Sequence, residues 1–388
     1  MVWHVGCVTK GVAGLFPGPE WVKPPIQSSS RDWASLGRAS LTPGVRNVLD
    51  QARIRSGRGH DGSDRLRRPS VRHQEARPCR ASCPSVQIML LGTAAGGGFP
   101  QWNCWCPVCR VARSNPELAR PRTQSSLAVS ADGARWFLCN ASPDVHEQLA
   151  RLAPPCVEGT RHVPVEGIVL TDAELDHSLG IALLREGRSL ALWATAPVLH
   201  TLEHDSHIVP VTRAFAHVET TEIQPGGAPI GLAYRDGGPS GLTVECFTVP
   251  GDPPRFASDD SPGHTIGLII RDEETGGSCA FVPGCGALDD GLNARLSSAD
   301  ALLFDGTFWT EDELVRLGIG DRPAAAMGHL PISGPSGSLA QLATLPCRHK
   351  VYTHINNSNP ILIEHSPERH VVEEAGMSVG MDGMCISI

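Results

Sequence analysis

A chain of 388 residues that is 41% hydrophobic can bury a sizeable core. It holds no apolar run of about 18 residues, so no membrane-spanning helix is expected. The net charge of −8 hides an asymmetry, with 14 Lys/Arg against 6 Asp/Glu in residues 1–85 and 19 against 35 in residues 86–388; an acidic body argues against nucleic acid as the main partner.

Residues 1–85 are rich in Arg, Ser, Gly and Pro, and no apolar periodicity survives from Ser29 to Ser85. Such a segment buries too little surface to offset the entropy of ordering, so a basic, disordered extension is expected. A start codon assigned too far upstream is its favoured origin, ahead of a targeting segment or a nucleic-acid tail. Order is predicted to begin with a strand over Val86–Gly92. The loop Thr93–Pro100 is nearly free of side chains and lets backbone N–H groups approach a ligand or a neighbouring strand. It lacks the Lys-Ser/Thr ending of a phosphate loop, so nucleotide binding is weakly supported.

Cys104, Cys106 and Cys109 follow in a C-x-C-x-x-C pattern that can fold around one soft ion, with a fourth ligand from elsewhere. Redox chemistry is the second reading. Thirteen cysteines are an odd number and lack the regularity of a disulfide framework, so reduced thiols and a cytoplasmic location are expected. Strands are then predicted over Thr123–Ser130 and Arg135–Asn140, turning at Asp132-Gly133, and Asn140–Asp144 caps a helix carrying Val145, Leu149 and Leu152.

The β-branched run Ile168–Leu170 predicts a buried strand, and the apolar stretch from Leu179 predicts a helix ending at Gly187. Between them stand Asp172, Glu174, Asp176 and His177. Open sheets place their sites at the carboxyl ends of strands, and such a cluster repels itself unless a cation or a proton resolves the charge. The plainer account is an acidic helix N-terminus. The pattern recurs, however: His264 precedes a strand at Leu268–Ile270, Asp305 ends one at Ala301–Phe304, and His354 follows one at Val351–Thr353. His329 lies between the last two. Acids and histidines at so many strand ends favour a metal site around 172–177.

These motifs resemble those of a known family. Thr171-Asp172-Ala173-Glu174-Leu175-Asp176-His177 occupies the place of the H-x-H-x-D-H signature of metallo-β-lactamase-fold proteins. The strings GTAAGGGFPQWNCWCPVC, RTQSSLAVS, NASPD, LLFDGTFW, MGHLPISGP and HINNSNPIL are similar to those of the PqqB family of coenzyme PQQ (pyrroloquinoline quinone) synthesis proteins, over about residues 86–388. The resemblance implies an α/β fold, an αββα sandwich forming a single domain over 86–388. It implies an active-site iron(II) on Asp176, His177 and His354, with His264 a further candidate ligand. Asp172, Glu174 and His329 are the expected catalytic groups, and Cys104, Cys106 and Cys109 the structural zinc site. Asp172 and Glu174 stand where the superfamily has two histidines, and Pro283-Gly284-Cys285 stands where its bridging aspartate belongs. A dinuclear zinc hydrolase is therefore disfavoured against a single metal. The implied activity is hydroxylation of the tyrosine ring of a glutamate–tyrosine dipeptide, or a related precursor, with O₂ as co-substrate. The alternatives are a carrier of the finished cofactor toward the periplasm and a metal-dependent hydrolase. No nucleic acid and no membrane insertion are expected, and a homodimer is left open.

Overall fold

The computed structural model describes residues 86–152 and 160–388, so the expectation of disorder over 1–85 lies outside the described residues. One sheet is built from β1 (Gln87–Gly92), β2 (Ser126–Ser130), β3 (Trp136–Cys139), β4 (Val165–Val169), β5 (Ser189–Ala194) and β6 (His217–Glu222). A second is built from β7 (Ile230–Ala233), β8 (Pro239–Thr248), β9 (Ile266–Asp272), β10 (Ser278–Val282), β11 (Ala301–Asp305), β12 (His349–Thr353) and β13 (Ser378–Val379). The last strand, β14 (Cys385–Ser387), returns to pair antiparallel with β1 and edges the first sheet. Each sheet runs in sequence order from its outer edge, antiparallel through its hairpins and parallel across β3–β6 and β10–β13.

Side-chain alternation along each strand sorts the core into layers. Leu127, Val129 and Phe137 point inward from the first sheet and meet Leu268, Ile270, Phe281 and Leu303 of the second. Their neighbours Ala128, Leu138, Ile168 and Leu192 point outward, under helices carrying Val145, Ile181 and Val198. On the opposite outer face Ile269, Ala280, Leu302, Phe304 and Tyr352 receive Leu292, Leu339 and Val372. Helix, sheet, sheet, helix is the expected αββα sandwich. Its parallel strands β4, β11 and β12 all end on one edge, which brings their carboxyl-terminal residues together.

The helix predicted after the acidic cluster is broken. Asp176 and His177 sit inside a single turn, Leu175–Ser178, and a second short turn follows at Gly180–Leu183. Gly180 lies so close to the 141–142 backbone that a Cβ there would be 2.2 Å from Ser142 O, and its N–H bonds Ala141 O at 2.9 Å. That close approach fixes the turn carrying His177 against the end of β3.

Candidate metal centre

Past β4 the chain is pinned by side chains. Thr171 N donates to Asn140 Oδ1 (2.9 Å), and the Thr171 hydroxyl donates to Asp172 Oδ2 (2.8 Å). Asp172 Oδ1 accepts from Glu174 N (3.0 Å), and both of its oxygens lie 2.8 Å from His177 Nδ1. Asp172 is thus committed to holding an imidazole, as carboxylates behind metal-ligating histidines do. The residue expected among the catalytic groups is thus placed behind His177, at the edge of the cavity. Burial opposes its charge, but His177 and Thr171 hold its carboxyl below the usual range. For His177 burial pulls downward, and the Asp172 and Asp176 carboxylates prevail, raising it to about 9.

Because Nδ1 is taken, His177 presents Nε2, and that atom is buried without a hydrogen-bond partner. Asp176 Oδ2 lies 3.9 Å from it and 3.3 Å from His354 Nε2. The three donor atoms lie within 4.8 Å of one another. An orphaned buried nitrogen facing a carboxylate and a second imidazole is the donor set a divalent cation satisfies, so the residues fit a metal. A Cβ on Gly96 would sit 3.3 Å from Asp176 Oδ2, so the glycine loop closes one side of the centre at backbone distance.

The second sheet supplies the other side. Asp305, fully buried at the end of β11, accepts from His329 Nδ1 (2.7 Å), Cys285 N (3.0 Å) and the Thr307 hydroxyl (2.6 Å). Thr307 Oγ1 in turn lies 2.8 Å from His354 Nδ1, which leaves Nε2 of His354 for Asp176 and a metal. One acid therefore fixes two imidazoles. Burial opposes its charge, and His329 holds it below the usual range. Asp305, His329 and His354 also have donors within 4.8 Å, but Asp305 is already bonded to His329. Sequence reasoning counted Asp305 among the strand-end acids without naming it a site residue, and it missed Thr307.

A cavity of about 360 Å³ opens over the centre, walled by Glu174, Arg255, Phe308, Arg322, Met327 and His329. Glu174 is open to this cavity, yet desolvation and then repulsion from Asp172 and Asp176 push its carboxyl up to about 7. His264 is not brought to the centre. Its Nε2 lies 2.9 Å from Asp259 Oδ1, and the expected further ligand belongs to none of the donor groups among the described residues.

Cys104, Cys106 and Cys109 do converge, all buried, around the start of the helix Pro107–Ser114. Hydrogen bonding from Cys106, then from Asn357, draws Cys109 down to about 5, while Cys106 is pushed up by its bond to Cys109. Three converging sulfurs fit a thiophilic ion. Asn357, absent from the sequence-level candidates, lies against them.

A Beta-lactamase superfamily domain model matches residues 135–355. Coenzyme PQQ synthesis protein B of Methylobacterium radiotolerans is 42% identical over 312 residues, covering 78% of this chain and 100% of that protein. The protein of the same name from Gluconacetobacter diazotrophicus is also 42% identical, covering 78% of this chain and 99% of that protein. The chain belongs to the coenzyme PQQ synthesis protein B family. The crystal structure of Zn²⁺-bound PqqB from Methylobacterium extorquens is similar with a TM-score of 0.69 and 38% identity, covering 78% of this chain and 100% of that one. A diphosphatase of the PhnP family, 20% identical with a TM-score of 0.55, covering 78% of this chain and 98% of that one, shares the fold.

Proposed function

We propose that this member of the family acts in pyrroloquinoline quinone biosynthesis as an iron(II)-dependent oxygenase that hydroxylates the tyrosine ring of a glutamate–tyrosine dipeptide. The observation that carries the reading is the donor set: two imidazoles with Nδ1 engaged and Nε2 facing a third donor, Asp176, beneath an open cavity. Two histidines and one carboxylate with open positions are the arrangement of non-haem iron oxygenases. Iron(II), when bound, supplies the activation of O₂; one oxygen atom ends on the ring and the other as water, with two electrons from an external reductant.

The chain's own residues do the rest. Phe308 and Met327 offer an apolar wall to the phenol ring, and Arg255 and Arg322 line the same cavity without an ion-pair partner among the described residues. Two free guanidiniums suit the carboxylates of such a dipeptide. Glu174 can take up the ring proton at neutral pH. Asp305 leaves His329 only Nε2 with which to hold the phenolic oxygen. Support for a second reading, a zinc-dependent hydrolase, comes from the same donor set and from the zinc in the Methylobacterium extorquens relative. The test is to load metal-free protein with iron(II) without air, add the dipeptide, and admit O₂. Stoichiometric O₂ uptake with a product one oxygen atom heavier is expected. Turnover with zinc and no O₂ demand would replace the oxygenase by the hydrolase.

A further inference from the structure

His354 is the only one of the three centre residues with a left-handed backbone, at φ 53°. A non-glycine residue held there is disfavoured and persists only where the surroundings impose it. Its own turn is tied on both sides. The Thr307 hydroxyl contacts His354 O (2.9 Å), Ile355 N donates to Thr93 O (2.8 Å), Ala95 N donates to Ile355 O (3.0 Å), and Asn356 N donates to Thr307 O (3.0 Å). One residue further on, the chain reaches the thiols. Asn357 Nδ2 lies 3.2 Å from Cys109 Sγ and 3.9 Å from Cys106 Sγ, and both sulfurs lie 3.7 Å from the Asn357 carbonyl oxygen. Among the described residues, no other side chain outside the cysteine loop hydrogen-bonds these sulfurs.

We propose that the thiolate site is the positioning device of His354. When zinc gathers Cys104, Cys106 and Cys109, it fixes their sulfurs in place against the Asn357 amide. That contact anchors the 354–357 segment in the strained conformation that aims His354 Nε2 at Asp176 and His177. Asn357 is a positioning residue, not a catalytic one. Without zinc the three sulfurs are no longer held about one ion, so the anchor loosens and the centre loses its third ligand's alignment. Local backbone hydrogen bonds alone would hold the turn whether or not the sulfurs carry zinc, and that difference is measurable.

The inference rests on the reading that Asp176, His177 and His354 hold a metal. Its test uses the full chain with zinc in the thiolate site and cobalt(II) titrated into the centre. Affinity is read by competition with a chelator, and coordination by the visible cobalt spectrum. Thiolate-to-cobalt absorption would reveal cobalt in the wrong site. Asn357→Ala should keep its thiolate zinc and its circular dichroism, bind cobalt at least about tenfold more weakly, and show an altered cobalt spectrum. Cys106→Ser should do the same with the zinc lost. Should that variant fail to fold, Asn357→Ala, which leaves every thiol in place, carries the test. Withdrawing thiolate zinc from the wild type should weaken cobalt binding, and restoring it should recover the affinity. Unchanged cobalt affinity and spectrum in folded Asn357→Ala would overturn the coupling alone. A wild-type centre that binds no cobalt at all would bring down the metal-centre reading and this inference with it.

Discussion

Asp172→Asn separates holding a ligand from taking part in the reaction. The side chain's contacts allow an isosteric exchange. The asparagine oxygen can keep Glu174 N and His177 Nδ1, while its NH₂ group faces the Thr171 hydroxyl, which can turn to accept. Geometry is thus largely retained, and what is removed is the negative charge and one of the two oxygens 2.8 Å from the imidazole. Loss of such a partner costs about 10–100-fold in metal affinity, or about 1.4–2.7 kcal/mol. The expected result is a rise of that size in the dissociation constant for zinc or cobalt(II), measured by chelator competition. Turnover at saturating metal should stay within a few fold of the wild type. Unchanged metal affinity combined with lost turnover would refute the reasoning, because Asp172 would then be acting on the substrate.

His177→Ala removes a ligand whose Nε2 has no other partner, so the variant should dialyse to well below one active-site metal per chain, and hydroxylation should fall by orders of magnitude with circular dichroism unchanged. Glu174→Gln should retain near-normal metal content and lose about 10²–10⁴ in rate, the usual contribution of a general acid or base; a loss of metal would make Glu174 a ligand. Glu313, buried and accepting from Trp309 N and the Ser358 hydroxyl, is pushed up to about 7 by desolvation. Its folded value exceeds its unfolded value of 4.5, so its contribution to stability is complete below that value and is lost as pH rises through about 7. The loss is on the order of 3 kcal/mol, and urea midpoints from pH 5 to 8 should show the wild type falling relative to Glu313→Gln; parallel curves would contradict the assignment.

What the sequence displays is what is local. Near-continuous apolar runs made β1, β2, β3, β9, β10 and β11 readable, because each is largely buried on both faces of a layered core. β6 reads His-Val-Glu-Thr-Thr-Glu, an exposed edge strand with a single buried residue, and carries no such signal. β13 and β14 have two and three residues, and only tertiary pairing makes them strands. The same division runs through the centre. Asp176, His177 and His354 were legible because donors at strand ends are unusual, whereas the group that orients each imidazole lies elsewhere in the fold or reads as ordinary. Asp172 reaches His177 only because a one-turn helix folds five residues back on themselves.

Asp305 and Thr307 show the limit most clearly, since an Asp-Gly-Thr after a strand is unremarkable until β11 and β12 pair in parallel and set Asp305 opposite Thr353. That register puts the next residue, His354, over the Thr307 hydroxyl, and the loop at 329 returns to the same carboxylate. The pairing bears on the metal count. An ion on Asp305, His329 and His354 would have to break a 2.7 Å bond between a buried carboxylate and His329 Nδ1 and take His354 from Asp176. An ion on Asp176, His177 and His354 replaces only the 3.3 Å contact between Asp176 and His354 and gives the buried Nε2 of His177 its missing partner. That contrast favours one metal per centre, with Asp305 holding the imidazoles in place from behind.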